Sequence, residues 1–304
     1  MKANTPRCSR RAFLKTTGLG LAALATPSCV TLPGQVPDGQ PFTFVQLCGP
    51  QLGFGGYAHD VAALQQAVRQ INALQPAFVL VCGDLVNVPS AKAYADFNRI
   101  KAGLTVPCYG LPGNHDLGQH PTPAALQNFR KLVGPDRFAF AHHGCTFVLV
   151  NSQLWKEPLP GESEQQDIWL RRILAEANGK QSRLFVVGHH PLFVERPDEP
   201  ENFWNLPPVR RADLLQLFAG QRVTAVLGGH THTLLLNEYA GIQLVNAETT
   251  SMNFDQRPVG FRLWHVEQTG PARHEFVPLG AFPGHDPAPR PKKTPGKPRE
   301  QPPA

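Results

Sequence analysis

The sequence has no closely spaced cysteine pair and no long hydrophobic run. Its six cysteines include no C-x-x-C pair, which argues against a zinc knuckle. Four of them end or interrupt apolar segments and are expected to be buried thiols of a sheet: Cys48, Cys82, Cys108 and Cys145. A Cys48–Cys82 disulfide stays open, because the sequence alone does not decide pairing in an oxidising compartment.

Acidic residues are absent from the first 28 residues, which contain five Lys or Arg. Residues 283–304 add a net +3, which leaves the rest of the chain at −2, the total of +6 less the +5 and +3 of the two ends. The basic pI of about 9.1 therefore arises at the ends of the chain. We expect no nucleic-acid partner, because the body of the protein is almost neutral.

The basic N-terminal segment is typical of a twin-arginine export signal. The pair Arg10–Arg11 precedes an apolar run, residues 18–25, that is too short to be a permanent transmembrane helix. We predict a signal peptide over residues 1–29, ending either in signal-peptidase cleavage or in lipid attachment at Cys29. The expected location is therefore periplasmic, or anchored to the membrane through that cysteine.

Strand-like and helical segments alternate after a Pro/Gly-rich linker, residues 30–41, and four strand-like segments follow at the end. This order predicts an α/β sandwich with two central sheets over residues 42–282. Residues 283–304 contain eight prolines and are predicted to be a disordered basic tail. The predicted helices are residues 59–74, 90–104, 122–133, 162–177 and 209–219.

Polar side chains follow four of the predicted strands. They are one carboxylate, one amide and three imidazoles: Asp84, Asn114, His189, His230 and His232. Open α/β sheets bind ligands at the carboxyl ends of their strands, and mixed N/O ligands suit Mn, Fe or Zn. His115, next to Asn114, could reach a group bound to the metal and act as a general acid.

These residues occur in four sequence blocks, which are Gly83-Asp84-x-x-Asn87, Gly113-Asn114-His115-Asp116, His189-His190-Pro191 and Gly229-His230-Thr231-His232. With them the sequence resembles the calcineurin-like metallophosphoesterase superfamily. More narrowly it resembles the branch of calcineurin-like phosphoesterase domain-containing proteins, described as Ser/Thr phosphatases. The segments that carry this narrower likeness are Gly49-Pro50-Gln51-Leu52-Gly53, Val150-Asn151-Ser152-Gln153, Gln166-Asp167-x-Trp169 and Gly188-His189-His190-Pro191-Leu192-Phe193. The resemblance implies a four-layer α-β-β-α sandwich with two central mixed sheets.

The same resemblance implies a role for each site residue. Asp84 would bridge two divalent ions, Mn, Fe or Zn, and His232 would serve the first. The second ion would be completed by Asn114, His189 and His230. A metal-bound hydroxide would attack phosphorus while His115 protonates the leaving oxygen, and Asn87 holds the position that orients His115.

The first block departs from the superfamily pattern. Gly49-Pro50-Gln51 stands where Asp-x-His is expected, and glycine has no side-chain ligand. Gln51 can still offer its amide oxygen, so the first metal is expected to be weak or absent. His59 and Asp60 could fold back as substitute ligands, which stays a hypothesis.

The sequence therefore predicts a metal-dependent phosphomonoesterase acting on a phosphorylated substrate of unidentified type. Gly49 keeps a second interpretation open, a degenerate relative that binds metal or a phosphorylated ligand without turnover. Phe203 and Trp204, on the long loop after His189, are expected either to wall the substrate side or to pack that loop onto the body.

Overall fold

The computed structural model describes residues 39–284, in which two β-sheets lie between two layers of helices. The predicted signal peptide with Cys29 lies outside the described residues. So do nearly all of the linker and the tail, and these assignments stay predictions. In the part of the chain that is described, no helix is long and apolar enough to cross a membrane.

The first sheet has five strands in the order β11-β10-β1-β2-β3. Its strands are β1 (Phe42–Leu47), β2 (Val79–Val81), β3 (Cys108–Gly110), β10 (Gly260–Val266) and β11 (Arg273–Pro278). The pairs β1–β2 and β2–β3 are parallel, whereas β1–β10 and β10–β11 are antiparallel.

The second sheet has six strands in the order β4-β5-β6-β7-β9-β8. Its strands are β4 (Phe138–His142), β5 (Cys145–Leu149), β6 (Arg183–Val187), β7 (Val223–Gly228), β8 (Leu235–Tyr239) and β9 (Ile242–Asn246). The four inner strands run parallel, and an antiparallel strand closes each edge. Both sheets are mixed, as predicted.

Within residues 39–284, five longer helices and two single turns connect the strands. They are α1 (Tyr57–Leu74), α2 (Ala91–Lys101), α3 (Asn114–Leu117), α4 (Pro123–Leu132), α5 (Gln153–Lys156), α6 (Glu162–Gly179) and α7 (Pro208–Gly220). The five longer helices coincide with the predicted ones to within a few residues. Ser90 caps α2 as expected, because its side chain accepts a hydrogen bond from Ala93 N.

Hydrophobic side chains pack in three layers, which confirms the predicted four-layer sandwich. Helices α1, α2 and α4 cover the outer face of the first sheet, and α6 and α7 cover that of the second. Aromatic rings fill the space between the sheets, where Phe44 stacks on Trp264 and packs edge-on against Phe147. Cys48 and Cys82 are buried free thiols at this interface. This packing fixes both sheets with their carboxyl-terminal edges side by side.

Candidate active site

The predicted ligands from both sheets meet at these carboxyl-terminal edges. Asp84 follows β2, Asn114 begins α3 after β3, and His189 follows β6. His189 Nε2 lies 3.0 Å from Asn114 Oδ1 and 3.3 Å from Asp84 Oδ2. The structure thus brings together side chains that are more than 100 positions apart in the sequence, such as Asp84 and His189.

Asp84 lies at the centre of this group and is 1% exposed. Burial alone would raise its pKa, but the nearby imidazoles of His189, His115 and His230 outweigh burial and lower it below the usual range. One carboxylate oxygen accepts the main-chain N–H of His115 at 3.0 Å, and the other faces His189. A Cβ on Gly113 would collide with this carboxylate, so the close approach requires glycine there.

His189 presents one ring nitrogen to these oxygens. Its Nδ1 donates to the carbonyl of Cys82 at 2.8 Å, since a carbonyl can only accept. Burial lowers its pKa, but the charge of Asp84, the hydrogen bonds to Asp84 and Cys82 and the charge of Asp116 together outweigh burial, and the net shift is upward. Without metal, only a proton on Nε2 can satisfy the acceptors of Asp84 and Asn114. A divalent cation would take the place of that proton, so the residues fit a metal here.

His230 and His232 each use one ring nitrogen on a main-chain carbonyl. His230 Nε2 lies 3.1 Å from Phe203 O, and His232 Nδ1 lies 2.6 Å from Met252 O. These contacts leave His230 Nδ1 and His232 Nε2 as the nitrogens with free lone pairs. Burial lowers the pKa of His230 to about 3 and also lowers that of His232, so both rings are neutral, as metal ligation requires.

Four of the ten non-glycine residues that have a positive φ in the described part of the chain are candidate ligands. Gln51, Asp84, His230 and His232 have positive φ angles of 36°, 52°, 69° and 51°. Non-glycine residues seldom adopt this conformation, and it costs on the order of 1–3 kcal/mol at each position. Strain of this kind at four candidate ligands indicates that the fold is built to aim these side chains.

The first metal position has fewer candidate ligands than the second. Gln51 Oε1 is buried without a hydrogen-bond partner among the described residues, as an unfilled ligand would be. A Cβ placed on Gly49 would lie 3.9 Å from His232 Nε2, so the superfamily's aspartate would point at this position. The same Cβ would lie 3.1 Å from Cγ2 of Thr249, and Gly49 has φ +45°. The methyl group of Thr249 therefore occupies the space next to the missing side chain.

Asp60 is not a substitute ligand, contrary to the hypothesis from the sequence. One of its carboxylate oxygens accepts the main-chain N–H groups of Gly53 and Gly55, at 2.9 and 3.0 Å. Its other oxygen faces His59 Nδ1 at 3.1 Å. Its role is to close the glycine-rich loop after β1, since two amides there need a buried acceptor.

His115 is held by the main chain rather than by the amide side chain that the resemblance suggests. His115 Nδ1 lies 3.0 Å from the carbonyl oxygen of Asn87. The side chain of Asn87 instead accepts a long hydrogen bond from Gln51 Nε2, at 3.4 Å. Because the carbonyl requires a proton on Nδ1, His115 can donate a second proton from Nε2 only as an imidazolium.

Hydrogen bonds from two buried charged side chains, Arg211 and Glu199, to main-chain groups hold the loop that carries Phe203. The Arg211 guanidinium donates to the carbonyls of Pro197, Glu199 and Leu206 at 2.7–3.0 Å. The Glu199 carboxylate in turn accepts three main-chain N–H groups of residues 194–196. This network was not predicted, because neither residue belongs to a recognisable motif. It supports the Phe203 carbonyl that orients His230.

Lowering the pH is expected to destabilise the folded conformation of this loop. Burial raises the pKa of Glu199, but Asn205 and the main-chain donors outweigh it and lower the pKa from its ordinary 4.5 to about 2. The carboxylate therefore stabilises the folded loop above pH 4.5, and this contribution disappears as the pH falls towards 2. Trp204 fluorescence, assigned with Trp204→Phe, should report the transition. In Glu199→Gln that acid-dependent change should be absent, and an identical acid transition in both proteins would contradict this role.

Two further residues of the site were quoted with the motifs but given no role. Ser152 Oγ accepts the main-chain N–H groups of His189 and His190, at 2.8 and 2.9 Å, and so fixes the turn after β6. His190 is buried, and its ring lies 4.4 Å from that of His230 between centroids. The His-His-Pro block was the available signal for His190, and the Val150-Asn151-Ser152-Gln153 segment was the signal for Ser152.

Known proteins match this chain over most of the described domain. The family model described as calcineurin-like phosphoesterase matches residues 55–234. Serine/threonine-protein phosphatase CPPED1 of Danio rerio is 32% identical over 248 residues, covering 73% of this chain and 80% of the relative. The 3',5'-cyclic adenosine monophosphate phosphodiesterase CpdA of Escherichia coli K12 is 29% identical over 187 residues, covering 61% and 65%.

Solved structures share the fold at low sequence identity. A dimetal phosphatase from Danio rerio superimposes with a TM-score of 0.56 at 16% identity, covering 79% of this chain and 99% of that structure. The purple acid phosphatase PPD1 from yellow lupin gives 0.59 at 14% identity, covering 82% and 53%. These likenesses confirm the predicted fold class.

Proposed function

The chain belongs to the calcineurin-like phosphoesterase family, and from that premise we propose that it hydrolyses phosphomonoesters with the help of divalent cations. The observation that carries this proposal is the meeting of His189 Nε2, Asn114 Oδ1 and Asp84 Oδ2 within 3.0–3.3 Å. The name of the Danio rerio relative, a protein phosphatase, supports a monoester substrate.

The residues divide into one strong and one weak cation position. The strong position, called the second above, would be formed by Asp84, Asn114, His189 and His230. The weak position, called the first above, would be formed by Asp84, Gln51 and His232. Divalent ions supply a Lewis acid that activates water and neutralises phosphoryl oxygens. The weak position lacks a second carboxylate because residue 49 is glycine, so we expect it to be labile.

His115 is the proton donor in this proposal. Its main-chain N–H is bound to Asp84, and its ring is fixed by the carbonyl of Asn87, so Nε2 is the atom left to face the substrate.

The proposal is tested by metal content and activity measured together. With Mn²⁺ the full chain should hydrolyse p-nitrophenyl phosphate, lose activity on chelation, and retain about one tightly bound ion. Gly49→Asp alone should gain little, because the new Cβ meets Thr249 Cγ2 at 3.1 Å with φ +45°. Gly49→Asp with Thr249→Ser, which removes that methyl group and keeps the hydroxyl, should bind an ion more tightly at the weak position.

Thr249→Ser alone is the matched control and should leave metal content unchanged, since the Thr249 hydroxyl contacts only Met252 and Asn253. An inert natural protein whose double variant gains activity would favour the second candidate, a relative that binds without turnover. Gly49 is the observation that supports that candidate. Hydrolysis that survives complete removal of metal would contradict the proposal.

A further inference from the structure

Four aromatic side chains, Phe54, Phe203, Trp204 and Phe254, surround the outer side of the candidate metal ligands and are here called the aromatic rim. They come from three loops, which follow β1, β6 and β9. The Phe254 ring stacks on His232 at 4.8 Å between centroids and 16° between planes. Trp204 lies 5.4 Å from His230, and Phe54 lies 4.8 Å from His232.

The rim is continuous and open to solvent. Phe54 contacts Phe254 at 6.1 Å, Phe254 contacts Trp204 at 6.2 Å, and Trp204 contacts Phe203 at 4.8 Å, all between centroids. Phe203 and Phe254 are nevertheless 49% and 48% exposed. Rings that merely packed their loops onto the body would be expected to lose most of this exposure. Large exposed apolar surface beside a site is typical of ligand binding.

Two cations that neighbour rim residues are already engaged: Lys156, which binds the residue before Phe203, and Arg257, three positions after Phe254. Lys156 binds the Glu201 carboxylate at 2.9 Å and the Asn202 carbonyl at 2.7 Å. Arg257 pairs with Asp255 at 3.3 Å and lies 3.7 Å from Glu248. These side chains offer little attraction to further phosphates or acidic groups, so the rim fits an uncharged and planar part of a substrate.

We propose that the aromatic rim is a subsite for a planar aromatic ring carried by the leaving group of the phosphoester. This inference rests on the proposed function, because it assumes that the ester oxygen departs towards His115. Phe54 lies 6.2 Å from His115 between ring centroids, which connects the rim to the leaving-group side. A nucleobase and a simple aryl group both present a planar aromatic face. Aromatic side chains can stack on either face without needing a charge or a particular base.

Pairs of substrates with the same type of leaving oxygen separate the effect of the aromatic ring on kcat/KM from the effect of the ester's reactivity. Adenosine 5'-monophosphate and ribose 5-phosphate have the same primary leaving oxygen and differ by the base. Benzyl phosphate and cyclohexylmethyl phosphate differ by the planarity of a ring close to the oxygen. We expect kcat/KM of the Mn²⁺-loaded full chain to favour the aromatic member of at least one pair by about tenfold. Preference in the first pair identifies a nucleobase, and preference in the second identifies an aryl group.

Rim variants test whether these side chains cause the preference. Trp204→Leu and Phe254→Leu should lower the ratio of kcat/KM between the aromatic and the non-aromatic member of a pair severalfold. Both rings also contact candidate ligands, His230 and His232, but an effect through the metal site changes both members alike and cancels in that ratio. Tyr239→Leu, at the edge strand β8, replaces an aromatic ring outside the rim and should change neither. Equal kcat/KM within both pairs, with hydrolysis retained, would overturn the subsite and leave the proposed function standing.

Equilibrium binding keeps the subsite testable if the protein does not turn over. Dissociation constants for the same pairs are measured on the metal-loaded full-length His115→Ala variant, in which turnover is suppressed. Tighter binding of the aromatic members, lost in the added Trp204→Leu change, would support the subsite even if the proposed function failed. Equal affinity within both pairs would overturn it.

Discussion

Asp84→Asn is expected to remove tightly bound metal and to lower kcat/KM by roughly 10³-fold, which is about 4 kcal/mol of barrier. The substitution keeps the shape of the side chain but removes the carboxylate charge that faces His189 at the centre of the candidate ligands. Without that charge, a divalent cation would be buried among neutral ligands, and the cost of its desolvation would not be offset. Metal analysis of the purified variant and its activity at saturating Mn²⁺ measure the two effects.

Asp116→Asn is a matched control for Asp84→Asn. Asp116 is also buried, but its carboxylate accepts the main-chain N–H groups of Leu85 and Gly113 at 3.1 and 2.9 Å. Burial, followed by the charge of Asp84, raises its pKa to about 7. An amide oxygen can accept the same two hydrogen bonds, so metal content should persist. Full metal content in Asp84→Asn would contradict the ligand role of Asp84.

His115→Ala should lower kcat by about 10²–10⁴-fold on esters of poor leaving groups and far less on p-nitrophenyl phosphate. An alkoxide needs a proton as it departs, whereas p-nitrophenolate is stable without one. The ring lies beside the metal ligands without being needed as one, so bound metal should remain. Rates for β-glycerophosphate and p-nitrophenyl phosphate, with metal content measured on the same sample, distinguish these effects.

Asn87→Ala controls for the positioning of His115, because the carbonyl that holds Nδ1 belongs to the main chain. This variant should retain most of the activity on both esters. If His115→Ala slows both esters equally, the histidine positions the substrate rather than donating a proton. If Asn87→Ala is as damaging as His115→Ala, the amide side chain has a role beyond its contact with Gln51.

Much of the fold was predictable because the longer elements have strong periodic patterns. Helix α1 has apolar residues at helical spacing, and β2 is a continuous apolar run buried from both sides. The short helices α3 and α5 were missed, since four residues are too few to show a period. Each of them follows a strand end at the site, where loop geometry rather than propensity decides the conformation.

The candidate ligands were predictable from their residue types, but their supports were not. Every residue has a carbonyl group, so no pattern marks those of Cys82, Phe203 and Met252 as the anchors of three imidazoles. The same limit explains why the main-chain contact of Asn87 was not anticipated. Asp60 looked like a spare ligand in the sequence, yet two loop amides occupy it, and only the folded chain shows that competition.

Phe203 gives the site two functions from one residue: its carbonyl holds His230, and its ring belongs to the aromatic rim. Any contact that orders this loop therefore affects both the carbonyl group and the ring of Phe203. Thermodynamic linkage requires such an effect to be reciprocal, so a ligand that orders the ring should tighten the hold on metal by the same factor that metal tightens the hold on the ligand. The affinity for the cation at His230 and the selectivity for the substrate would then be two expressions of one equilibrium.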